Sequence, residues 1–463
     1  MPELPEVETV RALLAQKLTG KSILSVELFR AKNIVTDPEE FQRVLPKKKI
    51  LSISRRGKYL LFHLSEDYVI LAHLRMEGKF FYKEENAKIG KFDLIVLHLD
   101  DGHKLVYQDV RKFGGMGLYK QSSLLQESAL SHLGKEPFEW KDEDFYEALQ
   151  KVKLPIKEAI MDQSRISGIG NIYADESLFA AHIHPRTPAD LLTLEEVSSL
   201  LENARRIMKE AIALGGSTVH SYQSEEGING AMQNELLAYD HKNAPCPKCG
   251  YPFRKTVVGG RGTTYCPICQ KSKARPFLLL LTGAIHTGKS TARSFFERKG
   301  YLPLDADQIV KALYQEKRIL QKAKEILGQK AVRKNAFQSK AALQIFLSSP
   351  EKKKAWEHFI HPLVGKKIQA ALKQIGPNKK VCLECQLPFE AKIDLQADAI
   401  LWISAPLQNQ KERLLSEGRD GEHLLKLNAS YPERLARAKA TFHIENSGSL
   451  EEFLKQLEAL PLP

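Results

Sequence analysis

The sequence predicts a multidomain chain: an antiparallel β-sandwich first, a helical domain second, a small cysteine-rich ribbon third and a parallel α/β domain last. Three observations carry this. Short runs alternate apolar and polar residues from Lys21 to Tyr119, the apolar period becomes helical from Phe145 to Leu214, and strand-like and helix-like runs alternate from Phe277 onward. The 463 residues exceed what one core fills, because domains usually take about 100–200 residues. Hydrophobic residues at 43 % and charged residues at 27 % exclude disordered, collagen-like and coiled-coil classes. The apolar run Phe277–Leu281 falls far short of the ~20 residues a membrane span needs. The segment Met1-Pro2-Glu3-Leu4-Pro5-Glu6 is acidic with no apolar core. Neither span nor secretion signal is expected, which makes the cytoplasm the expected compartment.

The elements follow in order. A leading helix opens at Pro5-Glu6, presents Val10, Leu13, Leu14 and Leu18 on one face, and closes at Thr19-Gly20. The runs Ile50–Ile53, Tyr59–Leu64, Val69–Leu74 and Leu94–Leu99 read as strands, with Asp100-Asp101-Gly102 as a turn. In the helical segment Leu191, Leu192, Val197, Leu200, Leu201, Ala204 and Ile207 form one core-facing series. Domain limits are expected at 1–120, 121–240, 241–271 and 277–463, with only a short linker between Cys269 and Phe277. No internal repeat or low-complexity tract interrupts them.

A net charge of +13 suggests a polyanionic partner. Its distribution weakens that inference, because residues 1–276 carry +3 and residues 277–463 carry +10. Binding of nucleic acid by the first half must therefore rest on local clusters: Lys47-Lys48-Lys49, Arg55-Arg56, Arg111-Lys112, and Lys151 with Lys153 and Lys157. Each cluster is equally readable as a solvated face.

Cys246-Pro-Lys-Cys249 and Cys266-Pro-Ile-Cys269 are two C-x-x-C pairs with 16 residues between them, the spacing of a tetrahedral Cys₄ zinc site. Four thiolates leave no position for water or substrate, so one structural Zn²⁺ per chain is expected. The residues between the pairs read as a β-hairpin whose tip carries Gly259-Gly260-Arg261-Gly262. A third pair, Cys382-Leu-Glu-Cys385, lies in an apolar run without a second pair beside it and reads as buried strand cysteines.

Pro2 would expose a secondary amine once Met1 is removed, and an α-amino group has a pKa near ~8, leaving a neutral, nucleophilic fraction at pH 7. Glu3 beside it could shuttle protons. These residues belong to a series of separated segments: Met1-Pro-Glu-Leu-Pro-Glu-Val-Glu-Thr-Val10, Arg55-Arg-Gly-Lys-Tyr-Leu60, His73-Leu-Arg-Met-Glu-Gly78, Asp109-Val-Arg-Lys-Phe-Gly114, Gly168-Ile-Gly-Asn-Ile-Tyr-Ala-Asp-Glu176 and the cysteine ribbon. In this order they resemble bacterial formamidopyrimidine-DNA glycosylase over residues 1 to about 271. The resemblance implies a helix–two-turns–helix domain behind the sandwich and damaged double-stranded DNA as partner. It implies a Schiff-base nucleophile at Pro2, a general acid/base at Glu3 and an essential basic residue at Lys58. It also implies a wedge of Met76, Arg111 and Phe113 that fills the gap left by a flipped base. Asn171 at a helix start is implied to contact phosphate, as is Arg261 at the hairpin tip next to the lesion, and Lys157 joins the DNA-binding set.

The chain departs from the family in the lesion-capping loop, where Gly230-Ala-Met-Gln233 is followed by Ala238-Tyr-Asp-His241. The expected lesions are oxidised purines, 8-oxoguanine and formamidopyrimidines, removed with β,δ-elimination. The alternative is an endonuclease VIII type acting on oxidised pyrimidines, although that type has Gly where Leu4 stands. A second alternative, from another class, is a damage-binding module without chemistry attached to an inactive C-terminal domain.

Gly283-Ala-Ile-His-Thr-Gly288-Lys289-Ser290 fits G-x-x-x-x-G-K-[ST] between an apolar strand and a helical run, the context a phosphate loop requires. Gly283, Gly288, Lys289, Ser290 and Thr291 form the expected ATP-binding set, with Ser290 on Mg²⁺. Together with Asp305-Ala-Asp307, His361-Pro362, Leu387-Pro-Phe-Glu390 and Asn446-Ser-Gly448, the loop resembles dephospho-coenzyme A kinase over about 277–460. That resemblance implies Asp307 as the base for a ribose 3′-hydroxyl, Asp305 as a nearby substrate or metal contact, and ATP and dephospho-coenzyme A as substrates. The chain departs from this family at Ser339-Lys340, at Ala440-Thr441, and in offering only Arg413 and Arg419 as lid-like cations. No membrane is implied, and a monomer on DNA is expected.

Overall fold

The computed structural model describes residues 2–216, 232–377, 379–389, 393, 397–416 and 431–463. They divide into two compact units, Met1–His241 with Val258–Tyr265, and Lys242–Val257 with Cys266–Pro463. The division therefore runs through the cysteine ribbon rather than around it.

In the first unit, Glu3 caps a helix at Leu4–Leu18, with Pro5 in the first turn and a reciprocal capping box to Glu6. Eight strands follow: β1 (Ile23–Leu28), β2 (Ile50–Arg56), β3 (Tyr59–Leu64), β4 (Tyr68–His73), β5 (Lys79–Glu84), β6 (Asp93–Leu99), β7 (His103–Gln108) and β8 (Gly115–Lys120). They form two antiparallel four-stranded sheets of order β1-β6-β7-β5 and β2-β3-β4-β8. Period-2 alternation gives each sheet an apolar face, and Phe41, Ile53, Phe62, Ile70, Ile95 and Leu97 fill a common core. The leading helix joins this core through Val7, Val10, Leu14 and Leu18. Its first residue, Leu4, belongs instead to the core of the helical segment. One short helix thus fixes the amino terminus against both layers.

The helical segment packs Asp142–Leu149, Ile156–Met161, Asn171–Ala180 and Leu194–Ala213. Thr193 and Glu196 form a capping box that starts the last of these. Leu191 was expected in the core-facing series and instead is 48 % exposed. It ends a 3₁₀ turn, Ala189–Leu191, ahead of the helix, so it is out of phase with the stripe that begins at the buried Leu192 and Val197.

The ribbon contributes β9 (Arg254–Val258) and β10 (Arg261–Tyr265), separated by Gly259 and Gly260, both at positive φ. The rest of the second unit is a parallel sheet. Its strands are β11 (Phe277–Thr282), β12 (Leu302–Asp305), β15 (Lys380–Glu384), β16 (Ala399–Ser404) and β17 (Phe442–Glu445), in order β12-β15-β11-β16-β17. A small hairpin of β13 (Val332–Arg333) and β14 (Ala336–Phe337) lies between helices. The central strands read as unbroken apolar runs, as expected where helices cover a parallel sheet. Helices Ala306–Leu313, Lys317–Leu327 and Pro350–Ile375 supply Leu313, Leu320, Trp356, Ile360 and Val364 to the core. Cys382 is buried within β15 and Cys385 just beyond its end. No helix among the described residues is long and apolar enough to cross a membrane.

Candidate active sites

The amino-terminal site is built around Glu3. Its side chain, only 2 % exposed, accepts backbone N–H groups of Gly170 (2.6 Å), Ile172 (2.9 Å) and Tyr173 (3.3 Å) at the start of the helix Asn171–Ala180. These are the N–H groups a helix leaves unsatisfied in its first turn, and the helix dipole favours a carboxylate there. Glu6 steadies the arrangement, accepting from the Glu3 backbone N–H at 2.8 Å and from the Tyr173 hydroxyl at 2.6 Å. Lys58, at the turn between β2 and β3, is equally buried and donates to the Ile169 carbonyl at 2.8 Å. Burial raises the Glu3 carboxyl above its ordinary value, partly opposed by Lys58, and burial lowers the Lys58 ammonium. Pro2, half-buried, directly precedes this carboxylate. A buried carboxyl and a buried ammonium that act on each other electrostatically thus lie at the start of the chain, directly after Pro2.

Gly170 is required here by close approach rather than by its backbone angles. A Cβ would stand 2.3 Å from Glu3 Cδ and 2.5 Å from Oε1. Gly170→Ala must push the carboxylate aside, and misplacement of about 1 Å can cost ~10²-fold in rate. Single-turnover base excision by that variant should fall by about this factor. The pH profile follows from Glu3. If its carboxylate form takes the proton from the amine, excision rises with pH through a midpoint above the usual glutamate range. Glu3→Gln should erase that limb with a loss of about 10²–10⁴-fold. His73 is held down to about 3 by burial, Arg75 and Lys58, so no imidazole limb near 6.5 is expected.

Met76 lies in the turn after β4, half-exposed, while Arg111 and Phe113 occupy the loop before β8, with Phe113 61 % exposed. The guanidinium lies 5.0 Å from the Phe113 ring centroid. Asp109, fully buried, shapes this loop by accepting from the N–H groups of Arg111, Phe113 and Gly114 at 2.8–2.9 Å. An exposed aromatic ring beside a guanidinium is thus held on a loop that Asp109 ties together.

Lys157 needs correction. Expected among the DNA-binding residues, it is 0 % exposed, with Nζ donating to Asp175 Oδ1 (2.7 Å), Thr263 Oγ1 (2.8 Å) and the Gly262 carbonyl (3.2 Å). Asp175 also accepts the Thr264 N–H at 2.9 Å. A buried cation persists only when paired and hydrogen-bonded, so Lys157 fixes β10 rather than touching solvent-borne phosphate. Asn171, first residue of its helix, donates to the Gly262 carbonyl at 3.1 Å. Arg261, exposed at the start of β10, is near enough to depress the Lys58 ammonium further. Glu176 accepts N–H groups of Leu237, Ala238 and Tyr239. Gly230 and Ala231 of the capping loop lie outside the described residues.

Sulfurs of Cys246, Cys249, Cys266 and Cys269 all lie within 4.8 Å of one another, with Cys246–Cys269 at 3.9 Å and Cys249–Cys266 at 3.5 Å. Zn–S bonds of about 2.3 Å in a tetrahedron require sulfurs about 3.8 Å apart. The cluster fits structural zinc.

In the α/β half, the loop after β11 places Gly288 at φ +105° as the cap of the helix Lys289–Arg298. A Cβ there would also meet Asn446 Nδ2 at 2.4 Å. Lys289 is buried and donates to the Ala284 carbonyl at 2.6 Å. A cavity of about 630 Å³ is lined by Lys289, Ser290, Thr291, Asp307, Glu384 and Arg413 among others. Burial and Asp305 raise the Asp307 carboxyl, as suits a proton acceptor. Asp305 itself is engaged elsewhere: it caps the helix Ala306–Leu313 and pairs with Arg293 at 2.7 Å. Glu384, at the end of β15, accepts from Ser290 Oγ at 3.1 Å and was not singled out from the sequence. Its signal was an acid at a strand's carboxyl end in a phosphate-loop sheet. Ser290 and Glu384 together could hold Mg²⁺. Arg419 lies outside the described residues.

Both parts of the chain match known protein families. Residues 1–116 match the family model of the formamidopyrimidine-DNA glycosylase N-terminal domain, 133–223 its H2TH domain, and 244–271 the zinc finger found in FPG and IleRS. Residues 277–452 match the dephospho-CoA kinase model. The formamidopyrimidine-DNA glycosylase of Bacillus licheniformis is 46 % identical over 275 residues, covering 58 % of this chain and all of that protein. That of Streptococcus pneumoniae strain R6 is 45 % identical over 274 residues, covering 58 % and 99 %. Among solved structures, a Lactococcus lactis FPG mutant with Fapy-dG-containing DNA superimposes at TM-score 0.56, with 38 % identity, covering 58 % of this chain and 99 % of that one. The Lactococcus lactis Fpg with abasic-site DNA gives 0.55 and 37 %, covering 58 % and 100 %.

Proposed function

The chain belongs to the formamidopyrimidine-DNA glycosylase family through its first 271 residues and continues as a dephospho-CoA kinase; from that premise we propose how its residues divide the two reactions. The protein is a base-excision-repair glycosylase with abasic-site lyase activity, fused to an ATP-dependent kinase of dephospho-coenzyme A. The observation that carries the first half is the buried Glu3 carboxylate, seated on a helix start beside Lys58 and directly after Pro2.

In the first reaction the Pro2 nitrogen bonds to the sugar C1′ as the C1′–base bond breaks. The amine gives up its proton to Glu3, and the base departs protonated. The C1′–O4′ bond then opens, O4′ taking a solvent proton to become a hydroxyl, and the iminium this leaves at C1′ acidifies the C2′ hydrogen, so elimination of the 3′-phosphate and then the 5′-phosphate follows. Lys58 and Arg261 supply positive charge to the sugar-phosphate, while Met76, Arg111 and Phe113 occupy the space of the extruded nucleotide. Arg111→Ala should weaken binding and blunt the preference for cytosine opposite the lesion by about 1–3 kcal/mol, measured as affinity against all four opposing bases. Equal loss against all four would reassign Arg111 to backbone contact.

In the second reaction Lys289 and the loop amides cradle the ATP phosphates, and Asp307 takes the proton of the ribose 3′-hydroxyl as its oxygen bonds to the γ-phosphorus and ADP leaves. Mg²⁺ bound at Ser290 and Glu384 would screen the phosphate charge. The domain limits that fit this division are 1–120, 121–240, 241–271 and 277–463, and a cytoplasmic protein acting on DNA as a monomer suits both substrates.

Oxidised purines are the favoured lesions, because Leu4 and a complete set of wedge residues accompany Pro2. Excision from duplexes carrying 8-oxoguanine or an oxidised pyrimidine tests this. Faster release of 8-oxoguanine supports it, and faster release of the pyrimidine favours the endonuclease VIII type.

A further inference from the structure

We propose that the first cysteine knuckle and the linker behind the second are positioning parts of the kinase, holding three strands of its sheet so that the phosphate loop keeps its shape. All of these parts belong to the second unit.

Tyr251, two residues after Cys249, is buried. Its ring packs edge-on against Phe442 at 5.6 Å between centroids, and its hydroxyl donates to the Asp398 carbonyl at 3.5 Å. Its own backbone carbonyl accepts the Cys246 N–H at 2.9 Å, so the knuckle that zinc closes also aims this side chain. Arg254 extends the contact, donating to Thr441 Oγ1 at 3.0 Å and to the carbonyls of Lys439 and Ala397 at 3.4 Å. From the linker, Arg275 grips Asp398 with two parallel bonds of 2.6 and 2.8 Å, a planar fork geometry that lysine cannot reproduce.

These partners sit at the start of β11, β16 and β17. Asp398 precedes β16, accepts the Leu278 N–H of β11 at 2.9 Å and returns its own N–H to the Leu278 carbonyl. Thr441 precedes β17 and is tied to Ile400 of β16 by bonds of 2.8 and 3.0 Å. The other ends of the same strands surround the phosphate loop. β11 runs into Gly283, against whose Cα the Ile403 carbonyl of β16 packs so closely that a Cβ would lie 2.2 Å from it. β17 runs into Asn446, whose amide donates to the Thr287 carbonyl at 2.9 Å. Arg413 joins the carbonyls of Asn446 and His286. Strands of four to six residues are too short and too well paired to absorb a shift at one end without passing it on. The dock at one edge therefore sets the loop at the other.

The proposal rests on the kinase reading, and its test uses ATP affinity and melting, which need no turnover. In the full chain, Arg254→Ala should retain bound zinc yet raise the MgATP dissociation constant and KM about tenfold with kcat less affected, and Arg254→Lys should restore part of it. In the unsubstituted chain, zinc removal with a zinc-selective chelator, followed by desalting into excess Mg²⁺, should lower ATP affinity and the kinase melting midpoint by roughly 10 °C. Unchanged ATP affinity and unchanged melting after zinc removal would overturn the proposal, whether or not dephospho-coenzyme A is phosphorylated. So would a zinc-replete, folded Arg254→Ala chain that binds MgATP as the parent does.

Discussion

Pro2→Gly should lose base excision and borohydride-trapped protein–DNA adduct by about a hundredfold or more, at ~1.4 kcal/mol of barrier per decade. The cause is chemical. A pyrrolidine nitrogen forms an iminium that carries a full positive charge without needing protonation, whereas the glycine variant offers a primary amine without the ring that fixes its direction. Glu3 would still accept the Gly170, Ile172 and Tyr173 N–H groups, so the helix start and the fold should be untouched. Binding of an uncleavable abasic-site analogue is therefore expected to stay near the parent value. Parallel loss of binding and chemistry would mean that Pro2 holds the leading helix rather than reacting.

Lys289→Ala should abolish phosphate transfer, by about 10²–10³-fold as for loss of one preorganised charge donor, while leaving base excision at the parent rate. Lys289 is buried in the loop, its ammonium on the Ala284 carbonyl and its pKa lowered by burial despite Glu384 and Asp307 nearby. Arrival of a polyphosphate would exchange that carbonyl for a stronger acceptor, so the cation is pre-placed. Measured as labelled phosphate transfer from ATP to dephospho-coenzyme A beside an excision assay on the same preparation, the two activities should separate cleanly.

Local periodicity carried much of the fold into view. The run Tyr59–Leu64 is β3 residue for residue, and the leading helix ends at Leu18, one residue before the expected Thr19 cap. What the sequence hid is pairing over long separations. Lys157 sits among Lys151 and Lys153 and reads as one more surface cation, yet its carboxylate lies 18 residues away and its hydroxyl partner 106. The acids that shape the loops lie inside legible motifs, Asp109 ahead of the Arg111 loop and Asp175 and Glu176 at the end of the Gly168 segment, but their roles depend on which N–H groups they meet. Likewise Arg254 finds Thr441 across 187 residues, a contact no spacing could announce.

The most direct measurement is the site of the borohydride-reduced adduct on the unsubstituted chain. After reaction with a duplex carrying one 8-oxoguanine opposite cytosine, reduction and proteolysis, mass spectrometry should place the sugar remnant on the nitrogen of Pro2 at the start of the chain. An adduct on Lys58 or any other lysine would contradict the assignment of nucleophile and, with it, the division of roles between Pro2 and Glu3.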